Sequence, residues 1–73
     1  MEDAHRYRKR DTIWWRVGPN RPHWIPKGRL EQAGEIRDVD GEYVMIAVLN
    51  EERKEEVFMV KSESIRPRRF HYD

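Results

Sequence analysis

The stretch Val39 to Leu49, "VDGEYVMIAVL", limits the fold more than any other part of the sequence. Asp-Gly between two apolar runs is the strongest short-range hairpin signal, because glycine accepts the positive φ that tight hairpin turns demand. Tyr43 to Leu49 is apolar at every position, the pattern of a strand buried or half-buried on both faces. A chain of 73 residues built around such a strand makes one domain with a thin core, giving on the order of 3–5 kcal/mol of net stability. The sequence has no cysteine, so neither a disulfide nor a thiolate zinc site can staple it, and packing must hold it together.

Other strands assemble around this one. Residues 11–17, "DTIWWRV", are rich in β-branched and aromatic types and end at Gly18-Pro19-Asn20, a turn cluster. Successive side chains of a strand point oppositely, so Ile13, Trp15 and Val17 share one face and Thr12, Trp14 and Arg16 the other. The first set is expected to face inward with Met45, Val57 and Met59 as neighbours. Gly18 to Gly28 is a long loop stiffened by Pro19, Pro22 and Pro26. Arg29 to Val39 has helical propensity, but Gly34 at its middle and the turn directly after it favour a strand bent at Gly34.

Beyond the central strand, Asn50 to Glu56 is a charged connection and Glu55 to Val60 another strand. "KSES" forms a single helical or 3₁₀ turn before a short closing strand at Ile65-Arg66, ended by Pro67, which cannot donate to a ladder. Residues 1–10 hold four cations and no apolar period, the composition of a flexible basic arm. Residues 68–73 form a basic and aromatic tail. The expected fold is therefore all-β: an SH3-like small five-stranded barrel over residues 11–67, with a flexible basic N-terminal arm. Curling lets short strands share one interior and removes most exposed edges.

Formal charge is only +1, but it is segregated. Residues 1–30 carry eight Lys/Arg against three Asp/Glu, residues 31–65 four against ten, and residues 66–73 three against one. First and last strands are neighbours in such a barrel, so Arg6, Arg8, Lys9 and Arg10 should meet Arg66, Arg68 and Arg69. Interleaved with Tyr7, Phe70 and Tyr72, these cations supply charge for phosphate and π-faces for bases. Trp14 and Arg16 should face outward, with Trp24 in the loop over the open barrel face. A tryptophan placed beside arginine can stack a nucleobase, hold a cation over its ring, or simply pack under the loop. Arg21, Lys27 and Arg29 in the same region favour an anionic ligand. The candidate nucleic-acid-binding residues are thus Arg6, Arg8, Lys9, Arg10, Trp14, Arg16, Trp24, Arg66, Arg68 and Arg69.

Catalysis finds little material here. A nucleophile needs a base within hydrogen-bond reach and usually an orienting third group. The aliphatic hydroxyls are Thr12, Ser62 and Ser64, and His5, His23 and His71 lie in the arm, the loop and the tail without a recognisable motif or metal-ligand spacing. Asp38 and Asp40 flank a turn, where aspartate is favoured because it bonds local backbone. Glu51, Glu52, Glu55 and Glu56 make an acidic run that repels phosphate from its end of the domain. The expectation is a non-catalytic module with no metal, no cofactor and no small-molecule substrate. No apolar run approaches the roughly 18 residues of a membrane span, and no signal-peptide pattern opens the chain, so an intracellular location, cytoplasmic or nuclear, is expected.

The segment "DTIWWRVGPNRPHWIPKGRL" resembles the opening of the C-terminal domain of retroviral and retrotransposon integrases, with Asp11, Trp14, Arg16, Trp24, Lys27 and Gly28 matching its outline. "EVFMVKSESIRPR" is similar to the closing strand and turn of that family, whereas Pro26 intervenes where the family runs tryptophan directly into lysine-glycine. The resemblance implies an SH3-like barrel that binds DNA, favoured here over RNA, with little sequence preference, and that assists assembly of a larger protein complex. The "IRPR" ending is also similar to Tudor and Agenet-type domains. That likeness implies a protein-interaction module instead, docking a peptide or partner subunit, with a methyl-lysine cage drawn from Trp14, Trp24, Tyr43 or Phe58.

Overall fold

The computed structural model describes residues 7–19 and 21–68. Five strands, β1 (Thr12–Arg16), β2 (Glu31–Asp40), β3 (Tyr43–Leu49), β4 (Glu55–Lys61) and β5 (Ile65–Pro67), form one antiparallel sheet in the order β4-β3-β2-β1-β5. A single 3₁₀ turn, Ser62–Ser64, joins β4 to β5. Pro67 is tolerated at the end of β5 because that strand is an edge.

The β2–β3 turn lies one residue later than the sequence suggests. Asp40 pairs with Tyr43, leaving Gly41 and Glu42 as the two-residue loop. Gly41 alone takes a positive φ, 62°, the signature of a type II′ turn with glycine at its first central position. The β3–β4 connection is organised by Asn50, whose Oδ1 accepts from the backbone N–H groups of Glu52 and Lys54 at 2.8 and 3.0 Å.

β2 is the strand about which the sheet folds. It pairs with β1 through Glu31–Glu35 and with β3 through Glu35–Asp40, and its register shifts between Ile36 and Asp38. A bend is expected at Gly34; Gly34 instead pairs in regular register with Ile13, and the irregularity comes later, between Ile36 and Asp38. A Cβ at Gly34 would approach the Ala47 carbonyl oxygen at 3.1 Å. Strands in a sheet lie about 4.8 Å apart, so a flat sheet would hold β1 and β4, three spacings apart, at about 14 Å. Trp15 of β1 and Phe58 of β4 nevertheless stack with ring centroids 5.3 Å apart. The sheet is therefore strongly curled around its concave face.

The core occupies that face. Ile13, Ile36 and Ile46 are fully buried, and Trp15, Val17, Ile25, Val44, Val48 and Ile65 complete the cluster. Ile13, Trp15 and Val17 face inward as the alternation requires. Met45, Val57 and Met59, expected beside them, do not: Met45 alternates with the buried Val44 and Ile46 and so points outward. The register sets Met59 opposite Met45 and Val57 opposite Ala47, which puts them on the outward face, 57 % and 52 % exposed. Phe58 and Val60 take their place against the core. A phase error of one residue in a strand exchanges its two faces completely.

Candidate nucleic-acid interface

Outward alternation on β1 presents Thr12, Trp14 and Arg16. Trp14 stands between Ala33 on β2, which contributes only a methyl group, and Arg66 on β5. Two guanidinium groups attend its ring: the Arg68 Cζ lies 5.0 Å from the indole centroid and the Arg66 Cζ 6.0 Å. A cation within about 6 Å of an indole face is attracted by the ring quadrupole. The adjacent tryptophans thus divide as the alternation dictates, with Trp15 7 % exposed in the core and Trp14 half-buried outside it.

The two ends of the domain meet at this place. The Thr12 hydroxyl donates to the Arg68 carbonyl at 2.9 Å, and the Arg68 N–H donates to the Thr12 carbonyl at 3.0 Å. The Tyr7 hydroxyl donates to the Ile65 carbonyl at 3.2 Å, and its ring packs on the core. Residues 7–10, placed with the arm by the sequence, are tied to the sheet: the Arg10 N–H donates to the Ile36 carbonyl at 2.7 Å. Asp11 closes the turn, its carboxylate accepting from the Arg8 N–H at 2.9 Å. Arg8, Lys9 and Arg10 are all exposed there, at the start of β1. Residues 1–6 and 69–73 of the arm and tail, Arg6 and Arg69 among them, lie outside the described residues.

Acids restrict the positive area. Glu31, opposite Arg16 on β2, accepts from the Arg66 Nε and a terminal nitrogen at 2.8 and 2.7 Å, a bidentate pair. The Arg66 hydrogen bonds, and secondarily the charges of Arg66 and Arg16, outweigh desolvation and hold the Glu31 carboxyl below its ordinary value. Arg37 bridges Glu35 at 3.2 Å and also Glu55. Next to Thr12 and Arg68, a groove of about 350 Å³ runs over Ala33, Gly34 and Ala47, with Glu35, Leu49 and Glu55 among its lining. Arg8, Lys9, Arg10 and Arg16 stand exposed at the start and end of β1, beside this acid-lined ground. Glu31 was not among the residues the sequence singled out. Its relation to Arg66 depends on the β1–β2 register, and the long intervening loop hides that register.

Trp24 does not join Trp14. It packs against the core from the β1–β2 loop, with its indole nitrogen buried and without a hydrogen-bond partner. Arg21 in the same loop is structural: one terminal nitrogen donates to the carbonyls of Pro26 and Lys27, each at 2.8 Å, and to that of Arg29 at 3.4 Å. These bonds secure a loop whose prolines cannot supply donors of their own.

Among the described residues, no group of three or more His, Asp or Glu side chains is placed to hold a metal, and no helix is long and apolar enough to cross a membrane. Compared with protein-family models, with curated proteins and with solved structures, the chain matches none.

Proposed function

We propose that this chain is a non-catalytic SH3-like barrel that grips nucleic acid along the outward margin of β1 and β5. The observation that carries the reading is the placement of Arg68 and Arg66 at the Trp14 ring, beside the exposed cationic turn of Arg8, Lys9 and Arg10. An indole with guanidinium groups beside it offers a π-face to unpaired bases, while the N–H donors and neighbouring cations meet phosphate. Phosphate contacts and base stacking carry little sequence information, so low sequence preference follows, with DNA the favoured ligand on the integrase-like outline. The barrel reading rests on the curl of the sheet, with β2 paired to both β1 and β3 and Trp15 of β1 stacked on Phe58 of β4.

A methyl-lysine cage is less well supported. Phe58 is stacked on Trp15, Trp24 packs on the core, and the ring that remains on β1 is flanked by cations rather than acids.

Salt dependence tests the proposal. About five cations stand at the margin and the turn to meet phosphate: Arg8, Lys9, Arg10, Arg16 and Arg68. Releasing about five counterions gives a slope of log affinity against log salt of about −3.5 for a single strand and −4.5 for a duplex. Fluorescence anisotropy with a labelled oligonucleotide across a salt series measures it. A slope near zero, or no binding at low ionic strength, refutes the reading.

A further inference from the structure

β4 is the second edge of the sheet, and of the usual protections it carries charge alone: Glu56 on its core-facing side and Lys61 at its end. It is seven residues long, no described strand pairs with its outer side, and Val57 and Met59 stand exposed on its outward face. Natural edge strands are usually short, bulged, covered, or armed with inward charges. Near the end of β4, a groove of about 500 Å³ separates Val60 and Lys61 from Gly18 and Pro19. No backbone bond crosses from β4 to that loop among the described residues.

The sequence of β4, "EEVFMVK", is complementary to its own reverse. Laid antiparallel on a copy of itself about Phe58, it sets Glu55 opposite Lys61, Glu56 opposite Val60, Val57 opposite Met59, and Phe58 opposite Phe58, and the two-fold axis makes the Glu55–Lys61 pair twice. Cross-strand partners of opposite charge and paired apolar side chains are what stabilise an antiparallel rung. A two-fold interface needs this property, since the same patch must serve both sides. The outward stripe of Met45, Met59 and Val57 would then continue across the axis, and the half-buried Phe58 would be covered.

We infer that β4 is a homodimerisation edge, where two copies of this chain pair antiparallel through residues 55–61 to form one continuous sheet. This use of β4 is independent of the β1–β5 margin, which is the opposite edge in sheet order.

Sedimentation equilibrium of the full chain from about 10 μM to 1 mM tests it, with circular dichroism and thermal melting confirming that each variant is folded. Wild type should rise from its monomer mass of 9.0 kDa towards twice that value. Lys61→Glu places like charges opposite each other twice and should weaken association about tenfold, as should Glu55→Lys. The double variant Glu55→Lys/Lys61→Glu restores opposite pairing with the signs exchanged and should dimerise again. Met59→Lys should leave a folded monomer. A wild type monomeric throughout overturns the inference, as does a dimer indifferent to Lys61→Glu and Met59→Lys, or a double variant no better than the singles.

Discussion

Arg68 is bound to β1 twice over: its backbone exchanges hydrogen bonds with Thr12, and its guanidinium carbon lies 5.0 Å from the centre of the Trp14 ring. A guanidinium resting on an indole loses less rotamer freedom on meeting an anion than one extended in water, because part of that freedom is already gone. The pair therefore acts as one preformed surface, and the two tryptophans of "IWWR" should respond to truncation in opposite ways.

Trp14→Ala should lower affinity for a single-stranded oligonucleotide by about 1–3 kcal/mol, the usual value of a base stacked on an aromatic side chain. The fold should survive, since Trp14 lies outside the core. Trp15→Ala removes a ring 7 % exposed and stacked on Phe58, at a cost of about 3–5 kcal/mol. That approaches the whole net stability of a domain this small. Anisotropy and near-ultraviolet circular dichroism on both variants separate the effects. Equal losses of binding with both folds intact would contradict the assignment of faces.

Glu31→Gln should tighten nucleic-acid binding and steepen its salt dependence. The substitution removes one negative charge from the margin and frees Arg66 from its bidentate partner. One further phosphate contact adds about −0.7 to the single-strand slope. The variant should also lose part of the acid limb of stability. A carboxyl held below its ordinary value of 4.5 contributes stability that is present above that value and fades as pH falls through the lowered folded one. Acid titration of wild type against Glu31→Gln reads the difference.

How far the sequence reached depended on the range of each signal. The Asp-Gly hairpin, the apolar β3 and the division of Trp14 from Trp15 rest on local chemistry and period-two alternation, and each is present within one residue. The side of the sheet taken by Met45, Val57 and Met59 was misjudged because "YVMIAVL" and "EVFMV" run apolar over consecutive positions, so alternation within them carries no phase; only the burial of Val44 and Ile46 and the β3–β4 pairing fix it. Trp24 and Arg21 look alike as candidates for a ligand, yet both serve the loop that holds them, one by packing and one through carbonyls that three prolines leave exposed. The meeting of residues 7–12 with 65–68 is a long-range outcome, reachable in advance only through the assumed strand order.

Tyr7→Phe tests how firmly the N-terminal turn is fastened. Losing the bond to the Ile65 carbonyl should cost about 0.5–1.5 kcal/mol while the ring keeps its place on the core. Burial, and secondarily the charge of Asp11, raise the Tyr7 phenol above its ordinary value of 10.0. Its contribution is therefore complete below pH 10 and fades as pH rises through the raised folded value, because the unfolded chain ionises first. Phenylalanine removes this component. Denaturant melts between pH 8 and 11 should show wild type losing its advantage over Tyr7→Phe at the alkaline end, and a constant difference across that range would place the hydroxyl outside any such linkage.

Gly34→Ala addresses the fold itself. Strand interiors usually gain from replacing glycine, since the unfolded chain loses freedom and the sheet gains a side chain. Here the new methyl would sit 3.1 Å from the Ala47 carbonyl oxygen and 3.3 Å from a Val48 methyl. The carbonyl belongs to β3, which is paired on both sides, so it has little room to withdraw. Crowding should prevail over the gain in propensity, and overpacking of this kind costs about 1–3 kcal/mol. Since a change of 1 kcal/mol moves the melting temperature of a 60–100-residue domain by about 4–8 °C, thermal unfolding resolves it readily. A variant more stable than wild type would mean that β2 can fold over without the close approach of Gly34 to β3, and the curl would then have to be attributed to the register shift after Ile36 alone.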